Sequence, residues 1–161
     1  KETLEYVRSF GFLGLIYKSA NMLDRAEECY RLAIDVIRRA QDANPEDLAT
    51  QLNNLGVLCK VQGRFDEARK LYEQALAIRR AHFPENSMEV ASSLGNLGTL
   101  LETMGNAREA LPLFMNALEI ARATAEAGKE DQGFLGRGGV LVNDKERAAL
   151  ALVASTLGIA G

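Results

Sequence analysis

The sequence predicts an all-α solenoid of antiparallel helix pairs, and three periodic features predict it. Leu13-Gly14, Leu55-Gly56 and Leu97-Gly98 recur at intervals of 42 residues. A second half follows each pair at the same interval: Ala26-x3-Tyr30, Ala68-x3-Tyr72 and Ala110-x3-Phe114. Between the halves stand Asn21, Gly63 and Gly105, residue types that accept φ > 0 and so stop a helix. A fixed period of this length marks a tandem array, in which each unit buries its apolar face on its neighbours.

The first helix of each unit is read from its apolar spacing. Phe10, Leu13 and Tyr17 follow i, i+3, i+7, as do Leu52, Leu55 and Cys59, and then Leu94, Leu97 and Leu101. Each set predicts one buried face. A glycine in a helix interior costs about 1 kcal/mol relative to alanine. Three in register therefore imply that another helix passes too close for a side chain, and Ala26, Ala68 and Ala110 would be the small residues opposite.

The second helices run through Tyr30-Ala33-Ile34, Tyr72-Ala75-Leu76 and Phe114-Ala117-Leu118, with Pro112 near the start of the third. Acidic residues after the turns, such as Asp24 and Asp66-Glu67, favour a helix N-terminus. Asn44-Pro45-Glu46-Asp47 reads as a cap, a first-turn proline and acids. Asn86-x2-Glu89 and Asn143-x2-Glu146 read as capping boxes. The expected helices span 2–19, 22–40, 45–62, 64–81, 87–104, 107–127 and 143–160.

The pattern resembles the tetratricopeptide repeat (TPR): a large residue, then Leu-Gly, then an aromatic or apolar residue, and later Ala-x3-aromatic. The period of 42, with Leu52-Asn53-Asn54-Leu55-Gly56, Tyr72-x2-Ala75-Leu76-x-Ile78 and Glu85-x3-Glu89-Val90-Ala91, is similar to the kinesin light chain type of repeat. The resemblance implies a right-handed superhelix of three pairs, about 3–42, 45–84 and 87–127, within 1–127. Val153-Ala154-Ser155-Thr156-Leu157-Gly158 is similar to Val90-Ala91-Ser92-Ser93-Leu94-Gly95. Residues 143–161 are thus expected to be the first helix of a fourth repeat, separated from the third by an insertion over 128–142. Five glycines there argue for a loop, and Phe134, Leu135, Val140, Leu141 and Val142 argue that it lands on something, either the concave groove or a neighbouring molecule. Gly133-x2-Gly136-x-Gly138-Gly139 lacks the Lys-Ser/Thr of a phosphate loop. The chain starts at Lys1 and ends at Gly161 within a helical pattern, which reads as a piece of a longer protein.

The resemblance also implies a concave face made of the first helices, where a peptide would lie. Its candidate residues are Arg8, Gly11, Leu15 and Lys18 in the first repeat. Thr50, Asn53, Asn54, Val57 and Lys60 follow in the second, and Ser92, Asn96, Thr99 and Glu102 in the third, beside Gly95. A carboxamide both donates and accepts, so Asn53, Asn54 and Asn96 suit the backbone of an extended peptide; they equally suit a bridge between helices. Lys18, Lys60 and Arg8 suit an acidic segment, or are simply solvated charge, and Glu102 breaks their row. TPR domains that grip a C-terminal carboxylate place Lys and Asn four residues apart on the first helix; Gly11 and Leu15 stand there instead.

Net charge is −3, so no cationic surplus exists for general nucleic-acid binding. Arg38-Arg39 and Arg79-Arg80 read as solvated helix surface. Two cysteines, with Cys59 in a core slot, suit free thiols in a reducing, cytoplasmic setting, with cytoskeletal association a corollary of the light-chain resemblance. The longest apolar stretch, near 148–160, falls short of a membrane span. His82 is the only histidine and has no readable nucleophile or metal ligands beside it, so neither catalytic residues, metal nor cofactor is expected. The reading is of an adaptor that holds a protein or peptide partner in its groove. The alternatives are a scaffold segment within a cytoskeletal or ciliary assembly, or a regulatory array attached to an enzyme. The apolar C-terminal helix, with Leu150, Leu152, Val153, Leu157 and Ile159, suits self-association, because an open solenoid end needs a cover.

Overall fold

The computed structural model describes residues 2–132, with side chains described over 5–127. Six helices make up the described residues: α1 (Glu2–Ser19), α2 (Leu23–Arg39), α3 (Pro45–Val61), α4 (Phe65–His82), α5 (Met88–Thr103) and α6 (Ala107–Gln132). No strand occurs among the described residues. The expected fourth-repeat helix over 143–160 lies wholly outside them, as does the expected insertion from residue 133 onward. α6 itself continues to Gln132, past the boundary at 127, because Lys129-Glu130 prolongs the helix with good helix formers.

The turns within the hairpins share one geometry. Asn21, Gly63 and Gly105 all have positive φ, at 59°, 76° and 82°. The next residue closes the helix end each time. Met22 N–H donates to Tyr17 O (2.8 Å), Arg64 N–H to Cys59 O (2.9 Å) and Asn106 N–H to Leu101 O (2.8 Å). This six-to-one bond, beside the shorter one from the positive-φ residue, is a Schellman stop. Asn44 caps α3 by accepting from Glu46 N–H at 3.0 Å, with Pro45 at the first helical position. At α5 the cap is Ser87, accepting from Val90 N–H, and not the expected Asn86. Serine one position nearer the helix reaches the orphan donor without moving the backbone.

Residues 1–120 form one compact unit. Within it α1 packs on α2 and α3 on α4, while α2 packs on α3 and α4 on α5. First helices neighbour first helices: Gly11 of α1 lies against the Gln51 side chain of α3, and Asn96 of α5 hydrogen-bonds Asn53 of α3. Second helices neighbour second helices through Arg31–Glu67 and Arg69–Glu109. The result is two layers. Beyond residue 120 a second unit begins, whose described part is the remainder of α6, carrying an exposed Arg122–Glu126 pair.

The core glycines do face a crossing helix, and the nearest atoms are those of an aromatic ring. A Cβ on Gly14 would meet the Tyr30 ring, one on Gly56 the Tyr72 ring and one on Gly98 the Phe114 ring. The aromatic ring of each hairpin fills the space the glycine vacates, and Ala26, Ala68 and Ala110 are buried in the same core. The burial pattern holds for the second and third repeats, where Leu52, Leu55, Cys59, Leu94, Leu97 and Leu101 are all buried. It fails in α1. Leu13 is exposed, and Phe10 and Tyr17 are half-buried, because among the described residues no helix packs on that side of α1.

Arg79 also departs from expectation. It is buried, donating bidentately to Glu46 at 2.6 and 3.1 Å and also to Ser93 Oγ at 2.9 Å and Glu89 O at 3.3 Å. One guanidinium thus ties the start of α3 to α5. The period carried the signal, since Arg79 stands 42 residues after Ile37, a core position.

Candidate functional site

The first-helix layer presents α1, α3 and α5 side by side, and the residues expected to line a groove lie on these three helices. Arg8, Leu15, Ser92 and Glu102 are exposed. Lys18, Thr50, Asn53, Asn54, Val57, Lys60, Asn96 and Thr99 are half-buried. Gly11 is buried, closed off by the carboxamide of Gln51 at 3.0 Å from where a Cβ would stand.

Several of these side chains are already engaged. Asn96 Nδ2 donates to Asn53 Oδ1 at 2.7 Å, so the bridging role of the asparagines is present. The pair still offers the Asn53 amide protons, the second Asn96 proton and the Asn96 carbonyl. Thr50 Oγ1 donates to Glu46 Oε1 at 3.0 Å, and Thr99 Oγ1 to Gly95 O at 2.8 Å, leaving both hydroxyls as acceptors. Gly95 opens onto free space, with no atom within 4 Å of where its Cβ would stand.

Exposed apolar residues of this layer that the sequence reading does not single out include Phe12 and Val61. Phe12 stands at the slot of Asn54 and Asn96, and Val61 follows Lys60 at the end of α3. The 42-residue register could have found Phe12, since the same slot is polar in the other two repeats.

The opposite layer is dominated by ion pairs. Glu27 accepts from Arg64 at 2.8 and 3.2 Å and from Arg31 at 2.9 Å; Arg31 also reaches Glu67 at 2.8 Å. Burial raises the Glu27 pKa, but the hydrogen bonds and charges of Arg31 and Arg64 outweigh it and hold the carboxyl below its usual value. Arg64 also donates to Cys59 Sγ at 3.0 Å. Burial raises the Cys59 thiol pKa. An open depression of about 430 Å³ on α2, lined by Asp24, Glu27, Glu28, Arg31, Leu32 and Asp35, lies in this layer. Among the described residues no cluster of three or more His, Cys, Asp or Glu is arranged to hold a metal ion. Among those residues no helix is long and apolar enough to cross a membrane.

Helical hairpins in register, glycine-to-ring packing and a two-layer stack define a TPR array. The tetratricopeptide repeat family model matches residues 5–81 and again 47–123, and the chain belongs to that family. No curated protein matches it. Among solved structures it is similar to BtubC (BKLC) from P. vanneervenii, at 20% identity and a TM-score of 0.65 over 95% of this chain and 73% of that one. The TPR domain of Arabidopsis FLU is similar at 15% identity and a TM-score of 0.64, over 75% of this chain and 98% of that one. The N-terminal domain of stress-induced protein-1 (STI-1) from C. elegans is similar at 16% identity and a TM-score of 0.59, over 74% and 87%. At these identities the likeness establishes the all-α TPR solenoid and nothing finer.

Proposed function

We propose that this chain is an adaptor that holds an extended peptide or disordered segment of a partner protein across α1, α3 and α5. The Asn53–Asn96 pair carries the reading. The two carboxamides join neighbouring first helices at 2.7 Å, remain half-exposed, and keep unspent donors and an acceptor. A peptide backbone has that complementary set of groups. Lys18 and Lys60 stand in equivalent slots and favour an acidic residue at one end, while Leu15 and Val57 supply apolar contact. The 42-residue period, and not the identity to any solved structure, supports the kinesin light chain type of repeat. Two free, buried cysteines fit a reducing compartment.

The test is a peptide-array screen with the chain, followed by calorimetric titration of the best peptide. Asn53→Ala and Asn96→Ala should each weaken binding by about tenfold, the loss expected when a desolvated hydrogen bond disappears. Circular dichroism on both variants checks that the fold is kept. Affinity unchanged in both, with the fold intact, would remove the groove as the binding surface.

A further inference from the structure

The first-helix layer changes character from α1 through α3 to α5. Residues 42 apart form rows across it, and these rows lose apolar surface in one direction. Phe12 gives way to Asn54 and Asn96, and Leu15 to Val57 and then Thr99. Phe12 is 65% exposed and Leu15 40%. At the end of α3 Val61 is 59% exposed, in a slot that α5 fills with Thr103; only here does α1 carry a polar residue, Ser19. The α1–α3 half therefore offers bare apolar surface, while α5 offers hydroxyls and a carboxamide.

Charge changes along the same line. The row at the C-terminal ends of the three helices runs Lys18, Lys60, Glu102. Among its described side chains α1 carries Arg8 and Lys18 against Glu5, and is net positive. On α3, Glu46 is bound to Arg79, so Asp47 and Lys60 balance. α5 carries Glu89 and Glu102 and neither lysine nor arginine. In the opposite layer Arg31, Arg64 and Arg69 are all paired. Arg8, Lys18, Lys60 and Glu102 make no salt bridge among the described residues. The charges of the groove are thus left for an occupant to neutralise.

We infer, on the groove reading above, that the bound segment carries charges of both signs and lies in one direction: an acidic residue over Lys18 and Lys60, and a lysine or arginine over Glu102. Its large apolar residues stand at the acidic end, on Phe12 and Leu15. Neighbouring packed helices lie about 8–10 Å apart, which puts Lys18 and Glu102 roughly 20 Å apart. An extended segment covers that in about six residues at ~3.3 Å each. A segment laid the other way sets its acid against Glu102 and its base against the lysines, and like charges exclude it.

The probe is an array of nine-residue peptides in four sets, with the second and eighth positions fixed and the rest randomised. The fixed pairs are Asp then Arg, Arg then Asp, two Asp, and two Arg. One of the two mixed sets should supply the tightest binders, by about fivefold over either like-charged set, since each exposed ion pair is worth little. Apolar residues should be enriched beside the Asp, and raised salt should narrow the difference. Glu102→Lys should pass the preference to the two-Asp set; Lys18→Glu with Lys60→Glu should pass it to the two-Arg set. Circular dichroism checks that both variants fold. A ranking of the four sets that is the same for the parent and Glu102→Lys would overturn the inference. So would a parent that binds the two-Asp set best. If those peptides still weaken with Asn53→Ala, the groove survives and only the charge order falls. An array with no binder, or binders indifferent to Asn53→Ala and Asn96→Ala, would remove both together.

Discussion

Gly56→Ala places the crossing of α3 and α4 under direct test. An alanine Cβ at that position would stand 2.7 Å from Tyr72 Cε1 and 2.9 Å from Cδ1. Real carbon contacts are closer to 3.5–4.0 Å. The ring cannot swing away, because Tyr72 is fully buried within the shared core. Crowding of this kind costs about 1–3 kcal/mol. Against it, alanine gains about 1 kcal/mol over glycine in a helix interior. Gly95→Ala supplies the reference, since Gly95 is mid-helix in α5 and a Cβ there meets nothing within 4 Å. The propensity gain is common to both, so their difference isolates the crowding, at about 1–3 kcal/mol. For a chain of this size that separates the two thermal midpoints by roughly 2–4 °C per kcal/mol. The assay is thermal and urea unfolding followed by circular dichroism, with Gly95→Ala more stable than the parent and Gly56→Ala less stable than Gly95→Ala. A double-mutant cycle with Tyr72→Leu should show coupling, because removing the ring removes the clash. Equal stability of the two alanine variants would refute the glycine-to-ring packing that defines the hairpin.

Arg79→Leu should destabilise by about 2–4 kcal/mol in urea unfolding, since it strands the Glu46 carboxylate and the buried Ser93 hydroxyl. Tyr72→Phe should be nearly neutral at pH 7, because the Tyr72 hydroxyl has no partner and Phe114 fills the same slot in the third repeat. Burial pushes the Tyr30 and Tyr72 phenols up to about 12 from 10.0. Their stabilising contribution is complete below pH 10 and is lost as pH climbs toward 12, so Tyr72→Phe should unfold at higher pH than the parent in an alkaline titration. Glu27 is shifted the other way. Its folded pKa lies below 4.5, so its contribution is present above that pH and lost as pH falls further; Arg64→Gln should shrink this acid-dependent loss.

The candidate groove is only partly legible in the sequence. The asparagines were readable as groove residues or as bridges, and the structure pairs Asn53 with Asn96 while leaving Asn54 without a bridging bond of that kind. Nothing in either helix alone states that residues 43 apart share a hydrogen bond. Gly11 read as an open groove position, yet the Gln51 carboxamide fills the space above it. By residue type Arg79 reads as surface, yet its slot in the repeat, shared with buried Ile37, points inward.

What the sequence determined by itself was the local framework: the six of its seven expected helices that fall among the described residues, three helix stops at Asn21, Gly63 and Gly105, and the glycine in the first helix of each of the three hairpins. These follow from backbone sterics and from apolar spacing along one helix, both of which are properties of neighbouring residues. The tertiary structure decided which atoms answer that framework. It set a ring against each glycine, buried Arg79, and covered the i, i+3, i+7 face fully on α3 and α5 but only in part on α1. Burial is a relation between helices, so the same spacing that is core in Leu55 and Leu97 is surface in Leu13, for want of a helix on the other side.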